Sequence, residues 1–328
     1  MEALSVKFYE FGNPCDVLQV ESKQLRQARK GEILVRMITR PINPSDLLPI
    51  RGAYSHRISL PGVPGYEGVG VVTEVGPSVP QHLLGKRVLP LRGEGTWQEF
   101  VRTSADLAVP VPGFMEDETA AQLYINPLTA WLICTEVLAL KPDDTLLVNA
   151  CGSTIGRIFA QLSKVLGFKL IAVTRNNAYT EELLELGAQY IVDTSETSLH
   201  GAVMELTHGR GVHAAIDSIG GADGTGLAWC VQPHGNLVTI GLLSGVSINW
   251  AEITRRAQVH VRMFHLRHWN ERVSVSTWQA TFHQLITLIQ HNQIKLRPPA
   301  ARYSISDVQE AVRTAESHLS NQGKIFLI

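Results

Sequence analysis

The sequence predicts an α/β protein in which a doubly wound parallel sheet follows a mainly β domain, and three observations predict it. Residues 145–175 read as strand, turn, helix, strand, which is one βαβ unit. Residues 180–240 go on alternating helical and strand-like runs, the spacing of a parallel sheet with crossover helices. Residues 3–109 instead hold short β-branched runs divided by Gly and Pro, which suits the bent strands of a small barrel.

In chain order, strands are expected over 3–9, 17–21 and 32–39, bounded by Gly12-Asn-Pro14 and Lys30-Gly31. Arg40-Pro-Ile-Asn-Pro-Ser-Asp-Leu47 follows. Its two prolines hold an extended or turning backbone, and Ser45 with Asp46 can start a short helix. Asn43 is the candidate active-site residue of that segment. Arg51-Gly-Ala-Tyr54 and the Gly- and Pro-punctuated run 60–76 precede strands at 88–91, 97–102 and 106–109. From Glu116 the pattern turns helical, and after Pro127 it runs over 128–140 into the βαβ unit. Beyond that unit come helix 180–186 with Gly187 as its stop, strand 190–193, helix 198–207 and strand 214–217. A Gly-rich turn at 220–224, helix 227–231 and strand 236–240 continue the alternation. Amphipathic helices at 277–291 and 306–317 and a strand at 324–328 close the chain.

At 328 residues the chain has room for two domains, each with its own core. Its formal net charge of -1 provides no basic face for nucleic acid. Cys15, Cys134, Cys151 and Cys230 contain no CxxC pair, so they form neither a zinc lobe nor a disulfide framework, and a reducing compartment fits them. The start Met1-Glu-Ala-Leu-Ser5 carries no basic, apolar leader. The most apolar helical stretch, 128–140, is too short to span a bilayer and contains Glu136. A cytoplasmic protein without membrane or nucleic-acid partners is the expectation.

The turn after the strand at 145–148 needs small residues, so that the backbone can approach a pyrophosphate and the helix can pack on the strand. Ala150, Cys151, Gly152, Ser153 and Gly156 supply them. The pattern departs from GxGxxG: with Gly156 as the last glycine, Cys151 and Ser153 stand where the first two would be. An ordinary strand-to-helix connection is the rival reading. At the end of the next strand the chain reads Thr174-Arg175-Asn176-Asn177, a place where a carboxylate holds a ribose 2′-hydroxyl and an arginine a 2′-phosphate. NADPH is therefore expected over NADH.

Ile42-Asn-Pro-Ser-Asp46, Gly52-Ala-Tyr54, Gly65-Tyr-Glu-Gly-Val-Gly70, Gly95-Thr-Trp97, Asn126-Pro127 with Thr129-Ala130, Asn149-Ala150 and Ala215-Ile-Asp-Ser-Ile-Gly-Gly221 follow one another in a telling order. In it the chain resembles the medium-chain dehydrogenase/reductase superfamily over essentially its whole length. Within that superfamily it is similar to the zinc-independent 2-enoyl thioester reductases, which include the mitochondrial trans-2-enoyl-CoA/ACP reductases. The resemblance implies a Rossmann cofactor domain over 121–264 and a GroES-like partial-barrel catalytic domain over 1–120 and 265–328.

It also implies residue roles. Tyr54 supplies a proton or holds the thioester carbonyl, Asn43 and Thr129 attend the nicotinamide end, and Trp269 lines the substrate pocket. Asn149, Gly152, Ser153, Thr154, Ile155 and Gly156 face the dinucleotide, with Arg175 on the adenosine side. Where zinc-containing members carry a Cys and a His, this chain has Asn43-Pro-Ser45 and Tyr66, so no metal is expected. A site without zinc must meet developing charge with hydrogen bonds, as in hydride addition to Cβ of an α,β-unsaturated thioester, which leaves an enolate. The expected activity is NADPH-dependent reduction of an enoyl-CoA or enoyl-ACP, with acyl carrier protein as a candidate partner. A quinone oxidoreductase or small-enone reductase is the alternative, and a non-catalytic NADPH-binding protein resembling the lens crystallin relatives is a third reading. A homodimer is expected through the strand edge around 259–264.

Overall fold

The computed structural model describes residues 2–317 and 322–328. The chain begins with an antiparallel pair, β1 (Glu2–Phe8) and β2 (Leu18–Gln24), linked through one helical turn, α1 (Pro14–Val17), that the Asn13 side chain caps. β3 (Glu32–Pro41) is the long central strand of a bent sheet. It runs straight into α2 (Pro44–Ile50), whose Pro44 occupies the first helical turn where no backbone N–H is needed. Next come β4 (Val69–Val75), β5 (Arg87–Leu89), β6 (Phe100–Ser104), β7 (Val109–Pro110) and the short α3 (Asp117–Ala120).

α4 (Asn126–Leu132) opens the second part and passes into a π-helical turn, Ile133–Val137. The wound sheet follows as β8 (Thr145–Val148), α5 (Thr154–Leu166), β9 (Lys169–Thr174), α6 (Thr180–Leu186), β10 (Tyr190–Asp193), α7 (Leu199–Leu206), β11 (Val212–Asp217), α8 (Gly221–Ala228), β12 (Val231–Thr239), α9 (Trp250–Arg256) and β13 (His260–Met263). α10 (Leu266–Arg272), α11 (Val275–Gln290), β14 (Pro299–Tyr303), α12 (Val308–Ala315) and β15 (Lys324–Leu327) complete the chain.

Two compact units result. One comprises the residues up to 125, 273–290 and those from 296 onward; the other comprises 126–272 with 291–295. In the first, the bent sheet has the order β14-β15-β3-β4-β5-β7, with β6 also on β3, so strands from both ends of the chain meet at β3. Val6, Phe8, Ile42, Leu47, Ile50, Trp97, Ile325 and Leu327 form one core there, and Ile33, Val35, Val72, Val88 and Val101 fill the bent sheet. Each such buried aliphatic or aromatic side chain contributes about 1.5–3 kcal/mol of burial free energy.

In the second unit six parallel strands run β10-β9-β8-β11-β12-β13, which is 3-2-1-4-5-6 by order of appearance. That is the doubly wound dinucleotide-binding arrangement, and its strand order reverses at β8. Leu147, Ile171, Val192, Ala215 and Leu237 line its core. They are the apolar runs of strands covered on both faces.

Three expectations shift. The helix expected over 128–140 ends at Leu132, where the π-helical turn takes over. The Gly-rich segment 220–224 is the start of a helix, not a turn, and Val231 begins β12 rather than ending a helix. Gly224 is needed inside α8 because a Cβ there would stand 2.5 Å from Asp217 Oδ2. The strand read over 97–102 begins only at Phe100. Before it, Trp97 and Gln98 bond singly to β1, through Val6 N to Trp97 O at 2.9 Å.

Candidate cofactor turn and tyrosine site

In the second unit β8 is followed by Asn149, which is buried. Its Nδ2 donates to Asp217 Oδ1 at 2.7 Å and its Oδ1 accepts from Ser218 N at 2.8 Å, tying the ends of β8 and β11 together. Asp217 Oδ1 also accepts from Ile219 N and Gly220 N, at 2.9 and 3.0 Å. The Asn149 side chain is thus spent on the neighbouring strand end.

The chain then makes a tight turn. Ala150 sits at φ 47° and its carbonyl accepts from Ser153 N at 2.9 Å. Cys151 is fully buried, and burial pushes its thiol up to about 12, so it packs as an inert thiol. Ser153 caps α5, its Oγ accepting from Gly156 N at 3.2 Å. The N–H groups of Thr154 and Ile155, at the very start of α5, have no place in the helical ladder and face an anion-binding position. A Cβ on Gly156 would lie 2.4 Å from Cys151 O, so the helix rests directly on the turn and only glycine fits.

Gly152 has a different reason. A Cβ there would lie 2.5 Å from Cδ2 and 2.8 Å from Cε2 of Tyr179, so the space above this residue is filled by a tyrosine ring. The smallness of Gly152, expected from the sequence for a pyrophosphate, also admits Tyr179. Arg157, 5% exposed, lies with its guanidinium 4.9 Å from the same ring. Its Nε and Nη2 donate to the two carboxylate oxygens of Glu182, each at 2.7 Å.

Two polar atoms around this turn are buried without a partner, Arg157 Nη1 and, at the end of β9, Thr174 Oγ1. Arg175 follows, exposed, and meets no carboxylate among the described residues. Asn176 caps the 3-10 turn Asn177–Tyr179 by accepting from Ala178 N at 3.1 Å. Free helix N–H groups, unpartnered buried donors and an unopposed arginine fit the phosphates of a dinucleotide.

Thr129 is buried on α4, which packs on α5. Trp269, on α10, is half-buried, and its indole Nε1 donates to Glu136 Oε2 at 3.1 Å. The rings of His265 and His268 meet edge to face with centroids 5.4 Å apart. Among the described residues no group of three or more His, Cys, Asp or Glu is placed to hold a metal ion.

In the first unit Tyr54 stands at φ 66° and ψ 22°, a left-handed conformation, just before the 3-10 turn Ser55–Arg57. The Arg57 guanidinium carbon lies 3.9 Å from the centre of its ring. Asn43 is buried at the start of α2, where its Nδ2 donates to Glu67 Oε1 at 2.7 Å and its Oδ1 accepts from Lys324 Nζ. Asp46 Oδ2 accepts from Asn43 N at 2.8 Å, and its Oδ1 from Tyr66 N at 3.1 Å. Glu67 Oε2 accepts from Tyr124 N and Ile125 N at 3.1 and 2.8 Å.

Burial raises both carboxyls, Asp46 to about 7, and lowers the Lys324 ammonium, with their mutual charges working against the shifts of Glu67 and Lys324. Sequence reading missed Glu67 and Lys324. The signal was a charge inside an apolar run, Tyr66-Glu-Gly-Val69 and Lys324-Ile-Phe-Leu327.

The alcohol dehydrogenase GroES-like domain profile matches residues 29–113, and the zinc-binding dehydrogenase profile matches 154–290. The mitochondrial enoyl-[acyl-carrier-protein] reductase of Dictyostelium discoideum is 30% identical over 312 residues, covering 92% of this chain and 89% of that protein. The crystal structure of a candidate NADPH:quinone reductase from Bacillus thuringiensis is 58% identical, with a TM-score of 0.98 over 100% of this chain and 99% of that one. Escherichia coli quinone oxidoreductase complexed with NADPH is 26% identical, with a TM-score of 0.90 over 99% of this chain and 100% of that one.

Proposed function

The chain belongs to the medium-chain dehydrogenase/reductase superfamily, in its zinc-independent branch, and on that premise we propose an NADPH-dependent reductase of α,β-unsaturated acyl thioesters. The observation that carries the reading is Tyr54. A non-glycine residue in the left-handed region costs about 1–2 kcal/mol, and here that cost projects a phenol whose ring Arg57 covers at 3.9 Å. Unopposed Arg175 supports NADPH, and the E. coli relative is described in complex with that cofactor.

Bound NADPH would supply the hydride. The N–H groups of Thr154 and Ile155 would hold its pyrophosphate, and Arg175 would pair with the 2′-phosphate. Once hydride has reached Cβ of the substrate, the charge lies on the thioester carbonyl as an enolate. Tyr54 donates its hydroxyl proton to Cα, and water returns a proton to the phenolate. The net change is one hydride and one proton added across the double bond.

The Bacillus thuringiensis relative favours a second reading, reduction of a quinone, in which no carbon need be protonated by Tyr54. NADPH oxidation with a trans-2-enoyl-CoA, run beside 9,10-phenanthrenequinone for the wild type and Tyr54→Phe, separates the two. The thioester reading expects preference for the thioester and a loss of about 10²-fold or more in the variant, with Tm unchanged. Quinone turnover alone, insensitive to Tyr54→Phe, establishes the second reading.

The proposal extends to a homodimer through β13, the edge strand of the parallel sheet. Met263 on it and Leu243 and Val246 in the same unit are each about three-fifths exposed, at 60%, 60% and 59%. A monomeric mass by light scattering would overturn this.

A further inference from the structure

Tyr179 is bound into the cofactor turn from two sides. Its ring edge lies on Gly152 and Arg157 stands over it, held by the paired bonds to Glu182. Gly152 does not have a positive φ, so the contact with Tyr179, and not backbone conformation, excludes a side chain there. Three residues from three elements, the β8–α5 turn, α5 and α6, are thus committed to one ring. The tyrosine is half-buried, yet its hydroxyl has no partner among the described residues. It lies four residues beyond Arg175, in the capped turn that follows β9, the strand that ends at Thr174, whose buried hydroxyl also has no partner. The positive end of α5 and the unpartnered Arg157 Nη1 make that neighbourhood attractive to an anion. In this strand order the pyrophosphate lies at the helix start and the adenosine ribose at the end of the second strand. Tyr179 follows that second strand and rests on Gly152 of the turn before the helix, so its ring joins the two places.

We propose that Tyr179 is a further specificity residue, its hydroxyl donating a hydrogen bond to the 2′-phosphate of NADPH, and that Arg157 and Glu182 are positioning residues for its ring. This rests on the NADPH reading above. Arg157 braces the ring while its Nε and Nη2 hold Glu182, and through that brace it positions the Tyr179 hydroxyl.

The test is equilibrium binding, read by nicotinamide fluorescence for NADPH and NADH and by calorimetry for 2′,5′-ADP. Tyr179→Phe keeps the ring on Gly152 and removes only the hydroxyl. It is expected to weaken NADPH and 2′,5′-ADP about tenfold while NADH stays within about twofold. Gly152→Ala keeps the hydroxyl but displaces the ring, and the same selective loss is expected. Arg157→Gln is expected to lose NADPH selectivity and Arg157→Lys to recover most of it.

Unchanged NADPH binding in Tyr179→Phe would overturn the proposal, as would an equal loss for NADH, which would place the hydroxyl on the pyrophosphate. Arg175→Ala keeps the two claims apart. If it abolishes the preference for NADPH while Tyr179→Phe retains it, the cofactor reading stands and only the tyrosine's role falls. A wild type that binds NADH as tightly as NADPH brings down both.

Discussion

The two units each bury a polar cluster, and the clusters differ in how much of their hydrogen-bonding capacity is used. In the first unit Asn43, Asp46, Glu67 and Lys324 bond one another and four backbone N–H groups, those of Asn43, Tyr66, Tyr124 and Ile125. Both carboxylates use both oxygens. Around the turn between β8 and α5, Arg157 and Thr174 are buried to a similar degree, but each keeps a polar atom with nothing to bond. Burial of polar groups alone therefore does not mark a ligand site. A closed cluster locks strand and helix ends together, whereas unspent donors beside a helix start are a standing cost that a bound anion removes.

Breaking the closed cluster should cost the most. Lys324→Met leaves two buried carboxyls without their cation and is expected to lower stability by about 3–5 kcal/mol, measured by urea unfolding. The pH dependence gives the sign. The folded-state value of Asp46 is raised to about 7, so the folded chain holds a proton that the unfolded chain has released. Its contribution to stability therefore falls as pH rises from the ordinary carboxylate value through about 7. Removing the ammonium deepens that fall, so the variant should lose more at pH 8 than at pH 5. Equal losses at the two pH values would show that the charges are not coupled.

An intermediate effect is expected at the turn itself. Gly156→Ala sets a Cβ 2.4 Å from a backbone carbonyl and should cost about 1–3 kcal/mol in thermal unfolding. Gly152→Ala meets only a side chain that can move aside, and should cost less. The smallest effect is at Thr174. Thr174→Val deletes a buried hydroxyl that has no partner, and stability should change by no more than about 0.5 kcal/mol or rise. A loss above about 1 kcal/mol would mean that the hydroxyl is already satisfied and that the open cluster is not open.

The same contrast explains what was legible in the sequence. The helix Thr180–Leu186, with Gly187 as its stop, and the strand Tyr190–Asp193 match the reading from periodicity and punctuation, because their signals are local. α8 does not. Glycines at 220, 221, 224 and 226 argue for a turn by propensity, yet Gly224 is required where the helix passes Asp217. Tyr179 was invisible as a turn residue since its partner, Gly152, lies in another element. Lys324 was invisible for the same reason, its contact with Asn43 spanning 281 positions of chain. Spacing reveals which residues share a face; it does not reveal which distant face they meet.

The pairing of β15 with β3, which joins Phe326 to Pro41 and brings Lys324 onto Asn43, has a consequence for biosynthesis. The parallel sheet of the second unit is complete once β13 has left the ribosome. The end of β3 at Arg40 and Pro41, made far earlier, stays unpaired, and Asp46 and Glu67 stay without their ammonium, until the last strand emerges. The part of the protein synthesised first is thus finished last, and until then the nascent chain carries an unpaired strand end while its parallel sheet can already be folded.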